Sequence, residues 1–278
     1  MSGAAPRPAG LDDASAAPTP RILRTPNWVG VKTLYRRQLT AFLRFGLESI
    51  GGPLVSSLLF LAVFVLALAG REEMLPGIGV AEFVAPGLVA FALAHSAFDM
   101  GAFPVLHDKL EGMIQDVAMA PLSALEIVAG YVLAAATAAL LNAAAILAVV
   151  ALFVPLAFAS ILQALLFAGL LALLFALLGM LIGLWADKWD HYSAAETFLI
   201  MPLGLLSGTF FSIATLPETG QALMRANPVF YGIDGFRAGI LGVSESEAWL
   251  GAVLLAVLEI ALVLVLWRLV ARGYKIRA

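Results

Sequence analysis

The chain has 278 residues, of which 62% are hydrophobic and 13% charged, with a mean hydropathy of +0.98 and a net charge of −3. Soluble domains carry about 25% charged residues, so this is the composition of a polytopic membrane protein, and it lacks the basic footprint that nucleic acid requires. Cysteine is absent, which excludes disulfides, thiolate metal sites and cysteine nucleophiles, and three histidines give little material for a histidine-rich metal site.

Residues 1–27 are rich in Ala and Pro and poor in large apolar side chains, so a disordered tail is expected there. They do not show the charged-then-apolar pattern of a cleavable signal peptide. Residues 28–44 predict an amphipathic helix. Trp28, Val31, Tyr35, Leu39 and Phe42 share one face, with Lys32, Arg36, Arg37 and Arg44 on the flank and far side. A basic helix with Trp and Tyr on its apolar face suits the lipid headgroup region. The plainer reading makes it the soluble start of the first span.

The transmembrane domain is expected over 45–278. Six apolar runs predict membrane-spanning helices: Ser49–Leu68, Phe83–Val105, Ala124–Phe153, Ser160–Trp185, Thr197–Ile213 and Trp249–Val270. Each is near the ~20 residues that cross the hydrocarbon. Six spans put both termini on one side, together with Lys32, Arg36, Arg37, Arg44, Lys109, Lys188, Arg268, Arg272, Lys275 and Arg277. The other side holds Arg71, Arg225 and Arg237. The positive-inside rule then makes both termini cytoplasmic.

Between the second and third runs lies a charged stretch, His107–Leu122. Leu110, Met113, Ile114 and Val117 recur at helical spacing, with Lys109, Glu111, Gln115 and Asp116 off that stripe. Asp108 and Glu111 offer a start signal and Pro121 a stop. A short cytoplasmic amphipathic helix is expected, with its apolar stripe awaiting a partner. The segment Ser212–Ala248 is too long for a turn and too polar in places for a seventh span. Its Phe and Tyr residues, broken by Pro217, Pro228 and glycines, predict short re-entrant helices in the outer leaflet, the simpler alternative being an extracytoplasmic loop.

Neither a Gly-x-x-x-x-Gly-Lys-Ser/Thr loop nor a zinc-protease or nucleophile-elbow motif occurs, so no catalytic residue is assigned and ATP hydrolysis by this chain is not expected. His95 and Asp99 are four apart, on one face of the second run, and Glu259 lies within the sixth. Ionisable groups inside a membrane mark a pathway or relay by default. A paired polar contact inside the bundle is the simpler reading, because a dedicated proton relay needs more groups. Asn142 and Gln163 are expected to hydrogen-bond between helices.

Three blocks resemble the membrane subunit of ABC-2 type exporters, in the nodulation-factor export permease and YadH-like group. They are Phe83-Val-Ala-Pro-Gly-Leu88; Leu110–Pro121 followed by Glu126-Ile-Val-Ala-Gly130; and Leu206-Ser-Gly-Thr-Phe-Phe211, Leu216-Pro217, Asn227-Pro-Val-Phe-Tyr231 and Gly235-Phe-Arg-Ala-Gly239. In order and spacing they cover nearly everything after Trp28. The resemblance implies a homodimer of six-span subunits in the bacterial inner membrane. It also implies a separate cytoplasmic ATPase that holds ATP and magnesium, with no cofactor on this chain. It makes Leu110, Glu111, Met113, Ile114, Val117 and Pro121 the coupling segment that seats on the ATPase. The amphipathic helix matches the family's connecting helix, and Leu216–Gly239 its re-entrant helices. Spans 1 and 5 form the dimer interface and path in that family. His95, Asp99, Gly208, Phe210, Phe211, Tyr231 and Arg237 are the residues expected along the path or at its gate. The implied cargo is amphipathic or lipid-linked: a glycolipid, a polysaccharide or a drug. A proton-coupled secondary transporter using His95, Asp99 and Glu259 is the competing expectation, and a lipid-modifying membrane enzyme a third.

Overall fold

Long runs of Ala, Leu and Val leave the backbone no hydrogen-bond partners in lipid except its own, so the chain folds as helices. The computed structural model describes residues 26–44, 46–67, 73–75 and 77–275. Among these the architecture is all-α, with one isolated bridge between Leu75 and Ile78. The expected tail lies, up to residue 25, outside the described residues.

The elements are α1 (Trp28–Arg44), α2 (Gly46–Ala67), α3 (Val80–Leu110), α4 (Ile114–Met119), α5 (Ala124–Val150), α6 (Ile161–Trp185), α7 (Trp189–Ala195), α8 (Met201–Leu205), α9 (Glu218–Ala226), α10 (Pro228–Leu241) and α11 (Ala248–Ala271). Four of them, α3, α5, α6 and α11, are long and apolar enough to cross a membrane, and α2 carries a shorter apolar stretch over Gly51–Ala67. The fifth expected run, Thr197–Ile213, is not one regular span. α7 passes through a π-helical turn, Glu196–Ile200, into α8, and the helix ends at Leu205. There the Ser207 and Thr209 hydroxyls both turn back to the Gly204 carbonyl, and Gly208 adopts φ +73°, a conformation a helix cannot continue through.

α3 is the axis of the bundle and packs most extensively on α6 and α5. Apolar helices gain nothing from burial against lipid-like neighbours, so they associate where small residues let backbones meet. Gly101 sits against the Ala176 backbone, Gly179 against the Phe98 carbonyl and Gly183 against that of Ala102. A side chain at any of these positions would push α3 and α6 apart.

α10 fills the far end, as a short buried helix rather than a surface loop. Asn227 caps it by accepting from the Val229 N–H, and Gly242 closes it at φ +78°. Asp234 accepts from the Ser244 hydroxyl at 2.8 Å and from the backbone of Glu245 and Ser246, which fixes the turn into α11.

The His107–Leu122 stretch differs from the single amphipathic helix expected. α3 runs on to Leu110, Gly112 turns the chain at φ +76°, and α4 occupies only Ile114–Met119. Asp108 caps nothing. It lies inside α3, 3% exposed, where it accepts from Arg37 Nη2 at 2.7 Å and the Tyr131 hydroxyl at 2.5 Å. One carboxylate thus joins α1, α3 and α5. The start signal that operates is further on: Ser123 and Glu126 form a capping box at the head of α5.

α1 is fastened along its length. Asn27 donates from its backbone to Glu126 Oε1 at 2.5 Å and from its side chain to the Pro121 carbonyl at 3.1 Å. Gly30 meets Leu122, Leu34 meets Gly130, and the Tyr35 hydroxyl bonds Thr137 Oγ1 at 3.2 Å. The face against the protein is therefore centred on Leu34 and Phe42, while Trp28 is 73% exposed.

A candidate conduit along α3

α3 is buried on every side but one. Between Phe83 and Asp108 the positions that keep exposure are Phe91, His95, Asp99 with Met100, Phe103 with Pro104, and His107. They recur every fourth residue, so they form one stripe along the helix. A stripe of aromatic and ionisable side chains is a poor surface for lipid and a suitable wall for a polar path. The four-residue spacing was legible at His95 and Asp99. Its extension to Phe91, Phe103 and His107 was missed, because aromatic residues in an apolar run read as lipid-facing.

At mid-stripe, His95 Nδ1 lies 3.2 Å from Asp99 Oδ2 and Nε2 lies 3.0 Å from Glu196 Oε1. The Tyr192 hydroxyl donates to Asp99 Oδ1 at 2.6 Å, and its ring stacks on Phe98 at 5.9 Å. Glu196 opens the π-helical turn, which rotates the chain between α7 and α8. Both imidazole nitrogens face carboxylates, which requires an imidazolium or one protonated carboxyl. Either way the cluster keeps net negative charge. Its second carboxylate is Glu196 on the broken fifth helix. Glu259, the expected one, is on α11, where its Oε1 is buried without a partner.

Toward the α10 end, Phe210 stacks on Phe64 at 4.3 Å and lies 6.4 Å from Phe60 and 6.5 Å from Phe91. α2, α3 and the segment after α8 thus meet in an aromatic plug. Gly208, Phe210 and Arg237 do come together, but Arg237 is not open to any path. It is 2% exposed, donates to the Gly208 carbonyl at 2.5 Å, lies 3.7 Å from Glu245 Oε2 and covers the Phe83 ring at 3.8 Å. Its work is to hold the Gly208–Thr209 turn against α3. Gly87 leaves room for that turn, since a Cβ there would collide with the Thr209 carbonyl and approach Arg237 Nη2 to 2.8 Å. Phe211 is half-buried beside this plug, and Tyr231 bonds the Arg225 carbonyl at 3.1 Å, away from the His95 cluster.

At the α4 end, Phe103 and His107 line a cavity of about 620 Å³ with Gln38 and Phe42 of α1 and Ala134 and Ala138 of α5. Phe103 also packs on Trp189 of α7 at 4.8 Å. Lys109, on the other side of α3, caps the last carbonyls of α6, donating to Leu184 and Ala186 at 2.7 and 2.5 Å. Lys275 adds the Trp185 carbonyl and the Asp187 carboxylate, which holds Asp187 below the usual carboxylate range.

The expected coupling residues divide. Ile114 and Val117 are buried in this chain's own core and Met113 is half-buried, so that stripe secures α4 to the bundle. Leu110, Glu111 and Pro121 are exposed, together with Gln115, Asp116 and Met119, which is 76% exposed. An isolated six-residue helix has no stability of its own, so its apolar side must be spent on the bundle.

A family model described as ABC-2 type transporter matches residues 29–241, from α1 to the end of α10. The chain is 30% identical over 259 residues to the inner membrane transport permease YadH of Escherichia coli (strain K12), covering 90% of this chain and 98% of that one. It is 31% identical over 221 residues to nodulation protein J of Rhizobium leguminosarum bv. trifolii, covering 78% and 82%. The matched range takes in Asp108, the α3 stripe and the Gly208–Arg237 turn, and on that coverage the chain belongs to the ABC-2 type transporter family as a multi-pass inner-membrane permease.

Proposed function

We propose that this chain is the membrane subunit of an ATP-driven exporter, working as a pair of copies with a separate cytoplasmic ATPase that holds the ATP and magnesium. Amphipathic or lipid-linked cargo moves along the open stripe of α3. The observation that carries the reading is that stripe: Phe91, His95, Asp99, Phe103 and His107 form the one unburied face of an otherwise buried central helix. Both termini, α1 and α4 lie on the cytoplasmic side, following the distribution of Lys and Arg.

The α4 end suits the reception of force. The exposed Leu110, Glu111, Gln115, Asp116, Met119 and Pro121 form the docking surface. Asn27 ties that segment to α1 through Pro121 and Glu126, and Asp108 ties α1 to α3 and α5. A displacement of the docked segment therefore moves the conduit helix directly. At the other end the Phe60–Phe64–Phe91–Phe210 plug is the gate.

The test is copurification of the affinity-tagged chain with an ATPase from its own cells. Charge reversal of the exposed positions, Glu111→Lys with Asp116→Lys, is expected to reduce recovery of the ATPase while leaving the chain folded in the membrane. Recovery of no ATPase with the wild-type chain contradicts the reading.

A further inference from the structure

The conduit carries a charge that the fold does not neutralise. The cluster of His95, Asp99 and Glu196 is net negative whichever group holds the shared proton. Glu196 Oε1 is engaged by His95, while its Oε2 has no hydrogen-bond partner among the described residues. Of the protein's cations, Arg37 is paired with Asp108, Lys109 with the α6 carbonyls and Lys275 with Asp187. The side chains of His95, Asp99 and Glu196 remain 25–27% exposed, on a path rather than sealed. Aromatic faces stand at both ends of the cluster: Phe91 with its centroid 6.3 Å from the His95 ring, and the Phe103–Trp189 pair one turn beyond Asp99.

Resting on the permease reading, we propose that this cluster is the recognition site for a lipophilic organic cation, which makes the cargo a cationic amphiphile. Net negative charge on a path through the membrane penalises anionic cargo and rewards a positive one. Flanking rings attract a diffuse cation by their quadrupoles. A metal ion fits less well, although the three ligand atoms lie within 4.8 Å of one another. The two nitrogens of His95 are each engaged by a different carboxylate, so a metal ion would have to displace one of those contacts. The rings flanking the site have nothing to offer a small hydrated ion.

The experiment uses the full chain in phosphatidylcholine nanodiscs, with empty nanodiscs as background. Tetraphenylphosphonium and tetraphenylborate have the same shape and opposite charge. Saturable, protein-dependent binding is expected for the phosphonium and not for the borate. Glu196→Gln is expected to weaken it about tenfold, which is ~1.4 kcal/mol. Glu247→Gln, at an exposed site on the α11 cap, leaves it unchanged. Equal binding of the two ions, or phosphonium binding indifferent to Glu196→Gln, overturns the proposal. So does competition by micromolar zinc, which makes the cluster a metal site. The wild-type comparison of the two ions needs no variant to fold. Loss of phosphonium selectivity with the ATPase still copurifying defeats this inference alone. Selective binding with no ATPase recovered defeats the exporter reading alone.

Discussion

Replacing Asp108 with Ala tests whether one carboxylate joins α1, α3 and α5. Arg37 is 41% exposed, so its ion pair with Asp108 contributes about 1 kcal/mol at most after screening. Tyr131 is 2% exposed, and its hydroxyl would be left without an acceptor, at a cost of ~1–3 kcal/mol. Asp108→Ala is thus expected to destabilise the chain by about 2–4 kcal/mol. Asp108→Asn retains one carbonyl oxygen and is expected to cost about half of that. The assay is reversible unfolding in mixed micelles, read by helical circular dichroism. A Tyr131→Phe background removes the stranded hydroxyl, so there the cost of Asp108→Ala falls to about 1 kcal/mol. An unchanged cost in that background, or none in the wild type, refutes the three-helix joint.

Arg237→Met leaves the Gly208 and Thr209 carbonyls without their donor and Glu245 without its countercharge, and about 3–5 kcal/mol of destabilisation is expected; Arg237→Lys recovers part of it, read in the same unfolding assay. Gly87→Val drives a side chain into the Thr209 carbonyl, so it is expected to lower the yield of monodisperse protein, whereas Gly169→Ala, where a Cβ meets open space, leaves it unchanged. Asp187 is held below its ordinary value of 3.8 by the hydrogen bond from Lys275, so its folded pKa lies under its unfolded one. Its contribution is present at neutral pH and is lost as pH falls below ~4 through the folded value. Asp187→Asn is expected to flatten stability against pH in that acid range alone, and a change confined to alkaline pH contradicts the pairing.

Much of the helical plan was legible because lipid allows the backbone few alternatives. The runs at α3, α5, α6 and α11 needed only length and hydropathy. The broken fifth helix was not, since a π-helical turn leaves no periodic mark. α4 misled for another reason. Apolar spacing at Ile114 and Val117 reports that a face is buried and does not say in which molecule. His95 and Asp99 were found by their spacing on one helix. Glu196 and Tyr192 lie about a hundred residues on and join them only through packing, so spacing along the chain could not pair them. Arg237 looked like a gate charge for want of its partners, which are backbone carbonyls from another segment.

The central claim is that α3 shows one wet stripe to a path. The chain has no cysteine, so single cysteines can be placed along Phe91–His107 without a background. A membrane-impermeant thiol reagent applied to inverted vesicles and to opened ones is predicted to modify positions 95, 99, 103 and 107. It is predicted to spare positions 98, 102 and 106, which are fully buried. Modification at every fourth position confirms the conduit. Modification of the stripe only by lipid-soluble reagents, or without that period, contradicts it.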